Sequence, residues 1–399
     1  MKLGMKKSVK LLYLALLDIS KEIGGTIHIK EVVTNLSSFG VDTTLITPSS
    51  KRTAFSFTAR HIRLSGNLRK KSKFFTSLFF IFGMTKLLFI LLFEAPKHDI
   101  IYTRNHFALT SALIPAWIFG KKIVYEVNGI PSEEIKLTGR GILSHLLVFG
   151  FRFIEKFAAR KACHIIAVTE GIKQKLISRG IEGEKITVIR NGVNTSLFKP
   201  FGEKRILELK KSYGFKETDR IITFVGNLAP WTNIEMVFDI MPELLLRFHN
   251  LRFVIVGDGE KFKAYKSYAS VFPNNAFLLG QLPQKKVVEI VNISNVCTAL
   301  VENRKMETIG LSPLKLFEYL ACKKPTVATR VKGYEFIEKE GVGYLVGFGD
   351  KEELKEKLIS LLTRPDLCKK MGERGRKLAE KNSWKRVSEN VSKVIQSCL

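Results

Sequence analysis

Short apolar runs, many of them rich in β-branched residues, alternate with helical stretches along both halves of this chain. Parallel strands need a crossover connection between them, usually a helix, and strands buried on both faces read as such apolar runs. The alternation therefore predicts an α/β fold built on doubly wound parallel sheets. The predicted strands are Lys10–Leu17, Asp42–Thr47, Ile100–Thr103, Lys122–Val127, His164–Val168, Ile186–Ile189, Ile221–Val225, Arg252–Val256, Ala276–Leu279, Val296–Leu300, Thr326–Ala328 and Gly343–Val346.

The length of 399 residues exceeds what one core of this kind usually holds, and two domains of about 200 residues are the natural expectation. Pro200 and Gly202 punctuate the sequence between the two halves, and we interpret 198–202 as a linker. We therefore expect one domain at 1–199 and a second at 200–375. Ligands of such domains bind outside the carboxyl ends of the strands.

The five cysteines are scattered, odd in number and without CxxC spacing. They predict a reducing compartment, with neither a disulfide framework nor a zinc site. The seven histidines show no metal-ligand spacing either, and His28, near Gly24-Gly25, fits a surface or core role better than a ligand-binding one. The apolar run at 11–17 ends at Asp18 and reads as a buried strand, so we predict a cytoplasmic protein without a signal peptide.

The charge of the chain is strongly positive, with a formal net charge of +28. No acidic residue occurs between Asp42 and Glu94, and this basic window runs into 20 nearly continuous apolar residues, 74–93. Such a combination is typical of a helix lying in the membrane interface, while a buried helix or a membrane span are the alternatives. We predict peripheral contact with an anionic membrane surface through 51–93. The aromatic residues alternate with aliphatic ones and not with Arg or Lys, which argues against nucleic acid.

The segment from Ser312 to Glu318 carries the clearest binding signal. Ser312 followed by Pro313 predicts the start of a helix whose free backbone N–H groups around Leu314 face outward, an arrangement that binds phosphate. Lys315 lies in the first turn, close to such a phosphate. Glu318 lies one turn further on, where its carboxylate can accept hydrogen bonds from a ribose diol. The segment therefore predicts a site for a nucleoside diphosphate, although an ordinary amphipathic helix is the alternative.

Glycine-containing loops follow several of the predicted strands. They contain Gly24-Gly25, then the segment 226–233 with Asn227 and Thr232, and then Gly257 and Gly259. Glycine lets the backbone approach a ligand closely, so we include all of these residues in a donor-binding set.

Taken in order, several motifs of the chain resemble those of one enzyme family. They are Gly24-Gly25, the segments 125–129 and 189–194, Phe198 with Pro200, the segments 225–231 and 256–259, and the helix beginning at Ser312. In combination they resemble the GT-B glycosyltransferases of family 4, which are retaining and metal-independent. The resemblance implies two facing Rossmann-like domains with a cleft between them, an acceptor site in the first and a nucleotide-sugar site in the second. It also implies a C-terminal helix, 376–399, that crosses back to the first domain.

Three positions depart from the pattern of that family. Gly310 stands where a glutamate usually lies eight residues before Glu318, and Glu307 is a nearby substitute. Asn227 and Thr232 replace the usual Arg and Lys of the diphosphate loop, so Lys315, or Arg304 or Lys305, would supply the missing charge. Asn128 replaces a frequent histidine.

The resemblance implies transfer of a sugar from UDP or GDP to an acceptor hydroxyl, with no metal or other cofactor. Asn128, Glu307 and Lys315 are the catalytic candidates. The basic, apolar first half suggests an acceptor that is lipid-linked or presented at the inner face of the cell membrane. The alternatives are a catalytically silent membrane partner with the same fold and a nucleotide-sugar 2-epimerase.

Overall fold

The computed structural model describes residues 8–20, 22–48, 59–64, 73–130, 132–133, 142–302, 312 and 314–399, with backbone alone at 73–82 and 142–147. The chain divides into two compact units. The first comprises Met1–Asn191 together with Trp384–Leu399, and the second comprises Gly192–Ser383.

The first unit contains a seven-stranded sheet in which every neighbouring pair is parallel, in the order β3-β2-β1-β4-β5-β6-β7. Its strands are β1 (Val9–Leu14), β2 (Val41–Pro48), β3 (Arg60–Leu64), β4 (Ile100–Thr103), β5 (Lys122–Val127), β6 (His164–Ala167) and β7 (Ile186–Val188). In the register of the central strands, Leu11 lies opposite Thr43 of β2 and Ile100 of β4. The strand order reverses between β1 and β4, the point at which such sheets place their ligands.

The second unit contains a six-stranded parallel sheet in the order β10-β9-β8-β11-β12-β13. Its strands are β8 (Arg220–Val225), β9 (Leu251–Val256), β10 (Ala276–Leu278), β11 (Val296–Ala299), β12 (Thr326–Thr329) and β13 (Gly343–Val346). The order reverses between β8 and β11, so the loops after these two strands meet at one edge of the sheet.

Helices connect the strands of both sheets. They are α1 (Gly24–Leu36), α2 (Lys73–Glu94), α3 (His106–Ile118), α4 (Ile142–Lys161), α5 (Glu170–Ser178), α6 (Glu203–Ser212), α7 (Glu235–Arg247), α8 (Phe262–Val271), α9 (Gln284–Ile293), α10 (Leu314–Ala321), α11 (Phe336–Lys339), α12 (Lys351–Thr363), α13 (Pro365–Lys381) and α14 (Trp384–Ser397). The last helix packs its apolar side, including Trp384, Val387 and Val391, on the first unit next to α1. The Ser388 hydroxyl donates to the carbonyl of Val32 there.

The prediction of two doubly wound parallel-sheet units is confirmed, and each predicted strand has its counterpart. The apolar pattern succeeds because both sheets are covered on both faces, so strands such as β1 and β8 are almost wholly buried. The sequence analysis missed β3. That strand carries two arginines and a histidine and is only partly buried, as expected for the edge of a sheet.

The expectation that the cysteines would form no disulfide is wrong for one pair. Cys163, just before β6, is bonded to Cys398, just after α14, with Cα atoms 6.4 Å apart. The two residues are 235 positions apart and meet only because α14 packs on the first unit. Sequence spacing cannot reveal such a pair.

The apolar segment 74–93 lies within α2. Among the helices that the structure describes, none combines the length and apolarity needed to cross a lipid bilayer.

Candidate active site

The loop after β8 and the loop after β9 are joined by backbone hydrogen bonds. The Gly226 N–H donates to the carbonyl of Val256 at 2.9 Å, and the Leu228 N–H donates to the carbonyl of Asp258 at 3.0 Å. Both pairs lie at the carboxyl edge of the second sheet, beside the reversal between β8 and β11. The two loops are therefore held together at the sheet edge where this fold is expected to bind a ligand.

Gly257 and Gly259 allow this close approach of the two loops. Both have positive φ, 143° and 154°. A Cβ atom on Gly257 would lie 1.8 Å from the carbonyl oxygen of Gly226, and one on Gly259 would lie 2.5 Å from the side-chain oxygen of Asn227. Contact between the loops therefore requires glycine at both positions, and their membership of the donor-binding set stays a prediction.

Lys315 lies in the first turn of α10 and directs its side chain toward the end of β8. Its Nζ is 4.1 Å from the centroid of the Phe224 ring. A Cβ atom on Gly226 would lie 2.5 Å from the same Nζ, so a side chain at position 226 would force the ammonium group to move from this place. Burial lowers the pKa of Lys315 to about 8, with Glu318 acting in the opposite direction.

Glu318 lies one helical turn after Lys315 and is half-buried. Burial raises the pKa of its carboxyl group to about 7, while the charge of Lys315 opposes that rise. A carboxylate and an ammonium group are thus coupled on one side of α10, both only partly exposed to solvent. Such perturbed pairs at the edge of a parallel sheet are characteristic of functional sites.

The remaining residues predicted for this helix are placed as follows. Leu314 is the first described residue of α10, and Ser312 precedes it and is half-buried. Pro313 and Glu307 lie outside the described residues.

Tyr319 fixes α10 to the sheet and was not singled out by the sequence analysis. Its ring is fully buried, and its hydroxyl accepts from the Val225 N–H at 2.8 Å and donates to the Val225 carbonyl at 3.3 Å. Val225 is the last residue of β8, so this contact positions the neighbouring Lys315 and Glu318 relative to that strand. The sequence could have indicated this role, because a tyrosine on the apolar side of a helix needs a buried hydrogen-bond partner for its hydroxyl.

Thr232 is buried, and both its hydroxyl and its carbonyl group form hydrogen bonds within the protein. Its hydroxyl donates to the Asn227 carbonyl at 3.0 Å, and its own carbonyl accepts from Lys261 at 2.9 Å and from Tyr265 at 2.8 Å. Lys261 also binds Glu235 at 2.8 Å. The sequence analysis missed Lys261, which supplies a cation to this loop from the start of the next helical segment.

In the first unit, Glu126 is the centre of a buried polar cluster at the end of β5. Its carboxylate accepts from the Tyr102 hydroxyl at 2.5 Å and from Arg104 Nε at 3.1 Å, and it contacts His28 at 3.1 Å. Burial would raise the pKa of Glu126, but the charges of His28 and Arg104 and the hydrogen bonds from His28 and Tyr102 hold it well below its ordinary value. His28 also contacts Asn191 at 2.7 Å. Its buried position agrees with the core role favoured in the sequence analysis.

This cluster orients two residues predicted for the site. Asn128 is exposed, donates to Glu126 at 2.7 Å and accepts from Arg104 at 2.9 Å. Arg104 also donates to the carbonyl of Gly25, in the first turn of α1. Gly24 is exposed at the start of that helix, and a Cβ atom on Gly25 would lie 2.9 Å from a methyl group of Leu17.

The predicted site residues are thus divided between the two units. Gly24, Gly25 and Asn128 belong to the first unit, at the carboxyl edge of its sheet. The described donor-set residues of the second unit are Asn227, Thr232, Gly257, Gly259, Ser312, Leu314, Lys315 and Glu318. Within the second unit, backbone bonds and Tyr319 bring the glycine loops and α10 together.

Two protein-family models match this chain. The model of glycosyltransferase family 4 matches residues 24–197, and the model of glycosyl transferases group 1 matches residues 206–378. Together they account for most of the sequence, one in each half.

Individual proteins agree with these models. An uncharacterised glycosyltransferase of Methanocaldococcus jannaschii is 29% identical over 304 residues, 76% of this chain and 76% of that protein. The alpha-galactosylglucosyldiacylglycerol synthase of Streptococcus pneumoniae is 22% identical over 275 residues, 66% of this chain and 68% of that protein. The structure of Anabaena HepE in complex with UDP-glucose matches with a TM-score of 0.73 and 16% identity, covering 97% of this chain and 99% of that chain. The chain belongs to the GT-B glycosyltransferases of the family 4 type.

Proposed function

We propose that this protein transfers a sugar from a UDP- or GDP-linked donor to an acceptor hydroxyl with retention of anomeric configuration. The observation that carries the proposal is the position of Lys315, whose ammonium group lies against Gly226 and the Phe224 ring at the end of β8. Glu318 lies one turn away on the same helix. A cation and a carboxylate so spaced match the diphosphate and the ribose of a nucleotide.

In this proposal Lys315 stabilises the charge that develops on the departing diphosphate. Glycosyl transfer builds negative charge on the leaving group, and a fixed cation in a site removed from water stabilises it more than solvent does. The backbone N–H groups of Ser312 and Leu314, at the start of α10, add to the effect. Lys315 then replaces the Arg and Lys that are absent at positions 227 and 232, and no metal ion is required.

Glu318 binds the ribose of the donor. Its two oxygens can accept from both hydroxyls of a ribose diol when the group is ionised. The coupling to Lys315 favours the ionised form, because the ammonium charge opposes the rise in pKa that burial causes. Each member of the pair therefore favours the charged form of the other.

Asn128 or Glu307 orients the transferred sugar in this proposal. Asn128 is suited to the task because Arg104 and Glu126 hold its amide in one orientation. The leaving phosphate takes the proton of the acceptor hydroxyl as the new glycosidic bond forms and the bond to the diphosphate breaks. No protein group is needed as a general base.

A lipid-linked or membrane-presented acceptor in glycan or cell-envelope synthesis completes the proposal. The name of the pneumococcal relative, a glycosyldiacylglycerol synthase, supports an acceptor of this class. The basic window before α2 supports peripheral contact with an anionic membrane through 51–93.

A catalytically silent protein is the second candidate. Asn227 and Thr232 favour it, since neither supplies the charge that grips a diphosphate, and the Thr232 hydroxyl is already used by the Asn227 carbonyl. The coupled Lys315 and Glu318 argue against it, because burying two charges together without a ligand to bind is costly.

Thermal unfolding with a panel of UDP-, GDP-, ADP- and dTDP-sugars, without added metal, tests the proposal. A donor at about 100 times its dissociation constant stabilises the folded state by about 2.7 kcal/mol. We expect a shift with one nucleotide, loss of that shift in Glu318→Ala, and its retention in Lys323→Ala, a control just beyond the other end of α10. Binding without transfer to any hydroxyl acceptor indicates the silent protein, and release of free nucleotide with an epimerised sugar indicates the 2-epimerase. No shift with any donor in the folded protein contradicts donor binding.

A further inference from the structure

Exposed apolar side chains are concentrated on three helices of the first unit. Of the large apolar side chains that are exposed in the described part of the chain, ten lie on or directly after α2, α3 and α4. They are Phe89, Phe93, Ile114, Trp117, Ile118, Phe119, Phe149, Phe153, Ile154 and Phe157. We call this set the aromatic surface. Trp117 is 84% exposed and Phe149 is 76% exposed, values unusual for such large side chains.

The three helices lie on the same face of the sheet. Crossovers between parallel strands are right-handed, and α2, α3 and α4 all belong to connections that advance along the sheet in one direction, from β3 toward β6. The connection through α1 advances in the opposite direction and lies on the other face. Helix α3 packs against both α2 and α4. The ring centroid of Phe107 on α3 is 5.9 Å from that of Phe151 on α4. The exposed sides of the three helices therefore form one continuous region.

Helix α4 carries two parallel stripes of exposed side chains, one aromatic and one basic. Phe149, Phe153 and Phe157 recur every four residues and form an exposed apolar stripe. Arg152, Lys156 and Arg160 recur with the same period and form an exposed basic stripe beside it. A helix with aromatic and basic stripes side by side is typical of segments that lie in a membrane interface.

The region carries almost no exposed negative charge. The acidic residues within α2, α3 and α4 are Glu94 and Glu155 alone. Both are buried: Glu94 pairs with Arg60 and Lys97, and Glu155 pairs with Arg179 at 2.5 Å. Arg152 of the basic stripe pairs at 3.5 Å with Glu133, which precedes α4 in the chain. Lys156 and Arg160 face solvent without an exposed carboxylate on α4 itself.

We infer that the aromatic surface docks on an anionic lipid bilayer, with Trp117, Phe149 and Phe153 inserted at the headgroup level and the basic stripe of α4 bound to lipid phosphates. Two copies of the chain meeting through this surface would bring each basic stripe toward the other, because a twofold interface pairs a patch with itself. An anionic bilayer satisfies both the apolar and the basic stripe. The contact involves α3 and α4, beyond the basic window before α2, and it does not depend on the transfer reaction.

Vesicle sedimentation tests the inference. We expect the protein to sediment with vesicles of equal parts phosphatidylcholine and phosphatidylglycerol and to remain in solution with phosphatidylcholine alone. The double variant Trp117→Ser/Phe153→Ser should lower the vesicle partition coefficient at least tenfold. The double variant Leu246→Ser/Val271→Ser is the matched control, because those two side chains are 80% and 71% exposed on helices of the second unit. It should bind as the unaltered protein does.

Charge reversal separates the two stripes. Lys156→Glu/Arg160→Glu should abolish the preference for phosphatidylglycerol, since it removes the attraction to anionic headgroups. Fluorescence then locates the contact, because the other two tryptophans, Trp231 and Trp384, are less exposed than Trp117. Anionic vesicles should shift the emission to shorter wavelength, and this shift should be absent in Trp117→Phe.

The outcomes separate membrane binding by the aromatic surface from donor binding by the enzyme. Each variant should keep the donor-induced thermal shift of the unaltered protein, which also shows that it is folded. Equal sedimentation of Trp117→Ser/Phe153→Ser and the matched control would overturn the inference. Self-association through the same residues, with no vesicle binding, would assign the surface to a second copy of the chain instead.

Discussion

The Nζ atom of Lys315 lies 4.1 Å from the centroid of the Phe224 ring, at the end of the central strand β8. The ring offers its negative face to the ammonium group and holds it in place without neutralising it. A cation so placed remains available to a diphosphate. This contact is the basis of the first prediction.

Replacing Lys315 by methionine should leave the fold intact and lower kcat/KM about 100- to 1000-fold, the range found when one charge-stabilising donor is removed from an active site. Steady-state kinetics with the donor identified by thermal shift measures the effect. Lys323→Met is the control, because Lys323 follows the end of α10 and its side chain pairs with Glu373. Equal kinetics for the two variants would contradict the assigned role of Lys315.

Gly226→Ala should displace the Lys315 ammonium group and weaken donor binding more than tenfold. The new methyl group would lie 2.5 Å from Nζ, and φ at this position is 148°. Isothermal calorimetry measures the donor affinity, and circular dichroism checks the fold. Gly202→Ala is a suitable control, since nothing lies within 4 Å of its Cβ position and its φ is −71°. Unchanged affinity in Gly226→Ala would show that Lys315 does not contact the donor.

Donor affinity should depend on pH on both sides of neutrality. Lys315, with a pKa of about 8, loses its charge as the pH rises, and Glu318, with a pKa of about 7, gains a proton as the pH falls. Affinity should therefore be highest between these values and decline in both directions. Calorimetry across this range checks the profile: Lys315→Met should remove the alkaline limb and Glu318→Gln the acidic limb. A flat profile in the unaltered protein contradicts the assignment.

Glu126→Gln should destabilise the first unit by about 3–5 kcal/mol, the usual effect of breaking a buried charge cluster. The pKa of Glu126 is held below its ordinary value, so its contribution to stability is present above the unfolded-state value of 4.5 and is lost as the pH falls below it. Urea unfolding at several pH values measures this. Glu182→Gln, which alters an exposed carboxylate of the same unit, should change stability by less than about 0.5 kcal/mol. Equal effects of the two changes would argue against a structural role for the cluster.

Cys398→Ser should lower the stability of the oxidised protein by about 2–5 kcal/mol, because the disulfide to Cys163 closes a long loop and restricts the unfolded chain. Thermal unfolding with and without reductant measures the change, and the reductant should have no effect on the variant. Cys368→Ser, at a free cysteine, is the control. Alkylation of all five cysteines after unfolding without reductant would show that the bond does not form.

The sequence predicted the sheets well because a strand that is buried on both faces has a short, apolar sequence that can be recognised locally. The run Ile221–Val225 is apolar at every position but Thr223, and its two buried faces follow from that composition. The edge strand Arg60–Leu64 lacks such an apolar run, and the sequence analysis missed it.

The site was harder to predict, because its contacts join residues far apart in the chain. The position of Lys315 and Glu318 one turn apart follows from helical spacing. The binding of Tyr319 to Val225 joins residues separated by 94 positions, and Arg104 reaches Gly25 across 79. No periodicity encodes such contacts. The glycines at 257 and 259 were noticed, but their partner is the neighbouring loop, which becomes visible only in three dimensions.

The first unit is interrupted by the second: the chain leaves it at Asn191 and returns at Trp384. A ribosome delivers residues in order, so all of the second unit emerges before the helix that completes the first. During that interval the side of α1 that α14 will cover, where His28 meets Trp384 and Val32 meets Ser388, lacks its partner. The N-terminal half of this protein is therefore made first and finished last, and a nascent chain stalled within the second unit would expose an apolar surface to chaperones and proteases.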